Sequence, residues 1–101
     1  MLPSYEEMPV AEAEEKVEQP KLYKVLLHND DYTTMEFVVE ILEAIFNMPE
    51  DQAIQVMLNV HVRGVGVAGI YTFEVAEMKV AKTIAAAQEQ EYPLLCTMEE
   101  A

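Results

Sequence analysis

Asn29, Asp30 and Asp31 stand side by side in this chain, and His61 follows further along. An Asn side chain offers a carbonyl oxygen, ionised carboxylates only accept hydrogen bonds, and a neutral imidazole offers one acceptor nitrogen. Such a set suits a small cation with several donors. A free α-amino group fits that description: with a pKa of about 7.7–8 it is largely protonated at neutral pH. It carries three N–H donors on one charged nitrogen, and charge-assisted bonds are roughly twice as strong as neutral ones. The imidazole must keep its lone pair for this role, so binding should weaken in acid. Met57, Val60 and His61 are spaced i, i+3, i+4 and share one helical face, as do Met35 and Val38. Two helices flanking one groove would therefore give it apolar walls and a polar mouth, with the walls taking the side chain next to the amine. Plainer readings compete on spacing alone. Asn-Asp-Asp before a helix is common turn chemistry, favoured by the helix dipole. A lone histidine near a helix end is commonly a surface residue, and methionines commonly fill cores.

The elements that must position these residues follow from periodicity. Leu22 to His28, with Tyr23, Val25 and Leu27 alternating, reads as a strand. It points His28 away from the Leu27 face. Thr33-Thr34-Met35-Glu36 resembles a capping box, with Thr33 as cap. Met35, Val38, Ile41, Leu42, Ile45 and Phe46 then recur at helical spacing, predicting a first helix to about Asn47. Pro49, Glu50 and Asp51 suit the start of a second helix, and Gly64 its end. Val65 to Phe73 reads as a strand with Val65, Val67, Gly69, Tyr71 and Phe73 on one face and a bulge or bend at Gly66 and Gly69. A third helix opens at Thr72 or Phe73 and runs to about Gln90, with Val75, Met78, Ala81, Lys82 and Ala85 on a common side. Pro93 closes the helical region, and Leu94 to Met98 forms a last strand. The order is β-α-α-β-α-β, an α+β domain with a three-stranded antiparallel sheet and three helices packed on one face.

Composition narrows the function. The chain has 101 residues, 51% hydrophobic and 25% charged, which predicts one small globular domain. A formal net charge of −13 argues against nucleic acid, which needs clustered Lys and Arg. The single cysteine, Cys96, excludes an internal disulfide, supplies no zinc set, and reads as a packed core thiol without an adjacent base. No catalytic residue, metal or cofactor is expected. No run reaches the roughly 18 apolar residues of a membrane span, and the N-terminus lacks signal-peptide order, so no membrane association and a cytoplasmic location are expected. Residues 1 to 20 hold Glu6, Glu7, Glu12, Glu14, Glu15 and Glu18 against Lys16, with Pro3, Pro9 and Pro20. They read as a flexible acidic tail, either solvating or partner-binding, preceding a core over residues 21 to 101.

Three blocks then carry a resemblance. Tyr23-Lys24-Val25-Leu26-Leu27-His28-Asn29-Asp30-Asp31-Tyr32-Thr33-Thr34-Met35-Glu36-Phe37-Val38 closely resembles the first signature of the ClpS adaptors of the bacterial N-end rule pathway. Glu74-Val75-Ala76-Glu77-Met78-Lys79-Val80-Ala81 and Tyr92-Pro93-Leu94-Leu95-Cys96-Thr97-Met98-Glu99 resemble the second and third blocks in order. The resemblance implies the same β-α-α-β-α-β fold, recognition of N-terminal Leu, Phe, Tyr or Trp (N-degrons), and delivery to the AAA+ unfoldase ClpA and its peptidase ClpP. It places α-amino binding on Asn29, Asp30 or Asp31, and His61. It places the side-chain pocket on Leu27, Thr33, Met35, Val38, Met57, Val60 and Leu94, with Met35 as a gate against β-branched side chains. It places unfoldase docking on Glu74 and Lys79, and the influence of an N-terminal extension on residues 1 to 20. The sequence departs from the family pattern at Thr34, where Pro is frequent, and at His28, where an apolar residue is common.

Two rivals remain at this stage. A hydrolase or metal site built on His61 with Asp30 or Asp31 lacks a nucleophile, a third ligand and a Gly-rich loop. A general protein-interaction domain is the other, since the fold also resembles the C-terminal domain of the ribosomal stalk protein.

Overall fold

The computed structural model describes residues 19–101; the acidic segment expected over residues 1 to 20 lies outside them, apart from Gln19 and Pro20. The elements follow in the order β1 (Leu22–His28), α1 (Met35–Ala44), α2 (Glu50–Arg63), β2 (Val65–Thr72), α3 (Phe73–Glu89) and β3 (Leu95–Glu100). The strands form one antiparallel sheet in the order β2-β1-β3. The inward residues Val25, Leu27, Ala68 and Cys96 join Phe37, Val38, Ile41, Leu42, Ala53, Val60, Ala76 and Ala87 in one buried core. Leu22, Val65, Val67, Ile70 and Leu95, on the other face of the sheet, stay exposed. The helices thus cover one face, as the α+β reading predicts.

Four local details differ from the sequence reading. The cap of α1 is Thr34, whose hydroxyl accepts from the Phe37 N–H at 3.1 Å. Thr33 is turned back, its hydroxyl donating to Asp30, so the Thr33–Glu36 capping box does not form. Helix α1 ends at Ala44, and Asn47, at φ 57°, makes the left-handed turn into α2.

In β2 the register slips: Val25 pairs with Gly69 and Leu26 with Val67, so Ala68 is the extra residue of a bulge. The slip reverses the alternation. Gly66 and Ala68 face the core with Tyr71, while Val65 and Val67, expected on the Tyr71 face, point out. The inner face of α3 is made of Ala76, Thr83 and Ala87, with Val80 and Ile84 beside them. Met78, Ala81, Lys82 and Ala85 are exposed. Small residues let α3 lie close to the sheet, but they give a weak apolar stripe, which is why the side was misjudged.

Gly66 has a packing reason. A Cβ there would meet Val60 Cγ2 at 2.7 Å, so the missing side chain lets α2 settle on β2.

Candidate functional site

The turn after β1 and the last turn of α2 are joined by the sheet. His28 pairs with Val65, the first residue of β2, and the Asn29 N–H donates to the Gly64 carbonyl at 2.9 Å. Gly64 ends α2 in the left-handed conformation, φ 87°, with its own N–H on the Val60 carbonyl. The chain therefore reverses within one residue of the helix, and His61 is held beside Asn29.

Asn29, Asp30, Asp31, Thr33, Met35, Val38, Met57, Val60 and His61 line one cavity of about 500 Å³, well within the range of small-ligand pockets. Tyr32, Thr34 and Glu36 line it too; the sequence reading passed them over, although all three lie inside the first family block. Val38 and Val60 are buried and Met57 is half-buried, giving an apolar floor and wall. Met35 is 42% exposed. Met35 and Met57 both line the cavity, and methionine side chains adapt readily to different shapes.

Leu27 and Leu94 are placed differently from the expectation. Neither lines the cavity. Leu27 is fully buried and Leu94 nearly so, both in the core. Inward alternation along β1 puts Leu27 opposite Cys96, in the middle of the sheet.

The two acids of the mouth are bonded differently. Asp30 accepts the Tyr32 N–H at 2.8 Å and the Thr33 N–H at 2.7 Å on one oxygen, and the Thr33 hydroxyl at 2.8 Å on the other. Partial burial alone would raise its pKa; the bonds from Thr33 and Tyr32 outweigh that and hold its carboxyl below the ordinary value. Both oxygens of Asp30 are thus engaged in shaping the loop. Asp31 is exposed, and among the described residues its carboxylate makes no hydrogen bond or ion pair. The same holds for the His61 ring, which lies in the last turn of α2. His28 faces the opposite side of the sheet, where Nε2 lies 2.8 Å from the Thr97 hydroxyl.

Glu74 is exposed in the first turn of α3. Lys79 is not free: Nζ donates to the Ile45 carbonyl at 2.6 Å and sits 5.8 and 5.3 Å from the ring centroids of Phe46 and Tyr71. A cation at the C-terminal carbonyls of α1 is favoured by the helix dipole. Cys96 is buried, and burial pushes its thiol up to about 11, against a weaker lowering from the Thr83 side chain. Among the described residues no group of three or more His, Cys, Asp or Glu could hold a metal ion, and no helix is long and apolar enough to cross a membrane.

A small α+β domain with an acceptor-rimmed, apolar-walled cavity has the form of a binding module. Comparison with known proteins narrows the class. A model of the family described as "ATP-dependent Clp protease adaptor protein ClpS" matches residues 18–97. The ATP-dependent Clp protease adapter protein ClpS of Desulfatibacillum aliphaticivorans is 56% identical over 90 residues, covering 89% of this chain and 86% of that protein. Its counterpart in Caulobacter vibrioides (strain NA1000 / CB15N) is 54% identical over 90 residues, covering 89% and 83%. Among solved structures, Agrobacterium tumefaciens ClpS2 bound to L-phenylalaninamide superposes with a TM-score of 0.79 at 41% identity, covering 82% of this chain and all of that one. This chain belongs to the ClpS family of Clp protease adaptors.

Proposed function

We propose that this chain binds proteins bearing N-terminal Leu, Phe, Tyr or Trp and delivers them to the unfoldase ClpA, for degradation by ClpP in the cytoplasm. The observation that carries this reading is the joining of unpartnered acceptors and apolar walls in one cavity: Asn29, Asp31 and His61 at the mouth, Met35, Val38, Met57 and Val60 within. The α-amino group takes the acceptors and the first side chain takes the walls. Asp31 is the acid that meets the amine, because the oxygens of Asp30 already accept from Tyr32 and Thr33. L-phenylalaninamide, the ligand of the Agrobacterium neighbour, carries the same pair of features, a free amine and an aromatic side chain.

Capture requires no bond making or breaking. Burying a Leu or Phe side chain contributes roughly 1.5–3 kcal/mol. Each charge-assisted bond adds about 1.5–3 kcal/mol, before the cost of ordering the peptide. Micromolar binding is within reach of that sum. In the first turn of α3, Glu74 offers the unfoldase a charged contact, while Lys79 ties the end of α1 to α3.

Acetylating a peptide's N-terminus removes the charge and adds bulk where the acceptors converge. Calorimetry should show at least about a tenfold loss of affinity on acetylation. Equal affinities for the free and acetylated peptides would overturn the reading.

A further inference from the structure

A second apolar groove, of about 410 Å³, lies between α1 and α2 and is lined by Met35, Glu36, Val39, Ile54 and Met57. It shares Met35, Glu36 and Met57 with the first cavity, so the two form one continuous trough divided by a methionine ridge. Its far wall is Ile54, an exposed isoleucine that closes no core contact.

We propose that this groove is a second subsite, which takes a large apolar side chain at the third residue of the bound substrate. The proposal rests on the amine-binding reading above and extends it. The geometry selects the third position. In an extended peptide successive side chains alternate, so the first and third point the same way, about 6.5–7 Å apart. Met57 is one turn and Ile54 two turns before His61 on α2, which centres the groove roughly 6–10 Å along the helix from the imidazole. With the amine at His61 and the first side chain beyond Met35, the second side chain faces solvent and the third falls between Val39 and Ile54. Chemistry selects the kind of residue: every lining side chain but one is apolar. The exception, Glu36, stands on the rim of both cavities, in a chain of formal net charge −13, and repels an acidic side chain.

The test is fluorescence anisotropy with dye-labelled peptides that begin with Phe and carry Leu, Ser or Glu at the third position. Leu should bind about fivefold tighter than Ser, consistent with partial burial, and Glu more weakly than Ser. Moving the Leu to the second position should give less than about a twofold gain over Ser. In an Ile54→Ser variant the third-position preference should vanish, while the penalty for N-acetylation persists. Equal binding of the Leu and Ser peptides to the unaltered protein, or a preference that survives Ile54→Ser, overturns the subsite. An acetylated peptide that binds as well as the free one overturns the amine reading, and the subsite with it. A loss on acetylation without a third-position effect sinks the subsite alone.

Discussion

In the seam between α3 and β3, Thr83 is fully buried and its hydroxyl donates to the Lys79 carbonyl at 2.8 Å. Cys96 is packed against it; one turn earlier on α3 the Lys79 ammonium reaches away from the seam to the Ile45 carbonyl and the Phe46 and Tyr71 rings. At the mouth of the cavity, Asp31 and His61 are left without protein partners among the described residues, while Asp30, on the same cavity, accepts three hydrogen bonds. The seam follows the general rule that a sheltered polar group must be satisfied from within. At the mouth that rule does not apply, because Asp31 and His61 are exposed and their polar atoms meet solvent. On the proposed reading the substrate's amine bonds to these open acceptors, while Asp30 serves the loop's own donors.

The sharpest way to separate the regions is to damage the seam. Leu27 faces Cys96 across β1 and β3 and is fully buried. Leu27→Ala should cost about 2–5 kcal/mol in denaturant unfolding. The preference for a free Phe over an acetylated one should be unchanged. A variant that stays stable but loses that preference would move Leu27 back into the site.

At the mouth the effects should reverse. Asp31→Asn and His61→Ala should each weaken peptide binding by about tenfold, equivalent to about 1.4 kcal/mol, with no shift in the unfolding midpoint. Asp30→Asn should instead lower stability by about 1 kcal/mol, because it removes an acceptor from the loop's own donors. If Asp30→Asn abolished binding in a fully stable protein, the division between the two acids would fail. The pH dependence is set by the same bonds. The carboxyl of Asp30 is held below its ordinary value. Its stabilisation is therefore complete above about pH 4 and is lost as the pH falls through the folded value. An Asp30→Asn variant should show a flatter acid limb in a pH series of unfolding midpoints.

The last effect is confined to alkaline pH and concerns Cys96. Its thiol is pushed up to about 11, above the roughly 8.5 of a free cysteine. The folded state then holds the proton longer than the unfolded chain, so stability should decline as the pH rises from about 8.5 towards 11. A Cys96→Ala variant should lose that slope. Rapid thiol labelling of the native protein at pH 8 would contradict the sealed seam.

What the sequence made legible tracks what repeats regularly. The order of the six elements follows from alternation in Leu22–His28, from the spacing of Met35 to Phe46, and from Pro49 and Gly64 as boundaries. Most of the cavity lining was also accessible, because Met35 with Val38, and Met57 with Val60 and His61, sit one turn apart. The losses came where one local event redirects many side chains. The bulge at Ala68 inverts the facing of Val65 and Val67, and no periodicity signals which residue will be the extra one. The burial of Leu27 and Leu94 beneath the site depends on how deeply the helices sit. The different duties of Asp30 and Asp31 depend on a three-residue turn that closes on one of them. Types and spacing cannot distinguish those two acids; hydrogen-bond geometry does.

The absent side chain at Gly66 has a reach beyond packing. Because Val60 touches the sheet there and also lines the receptor, the width of the opening is coupled to the body of the domain. A lone methyl added at Gly66, on a strand that no visitor touches, would push Val60 outward and shrink the space for incoming residues. On the proposed reading, selectivity would then drift through a change hidden behind the wall, with every cavity-lining residue left intact.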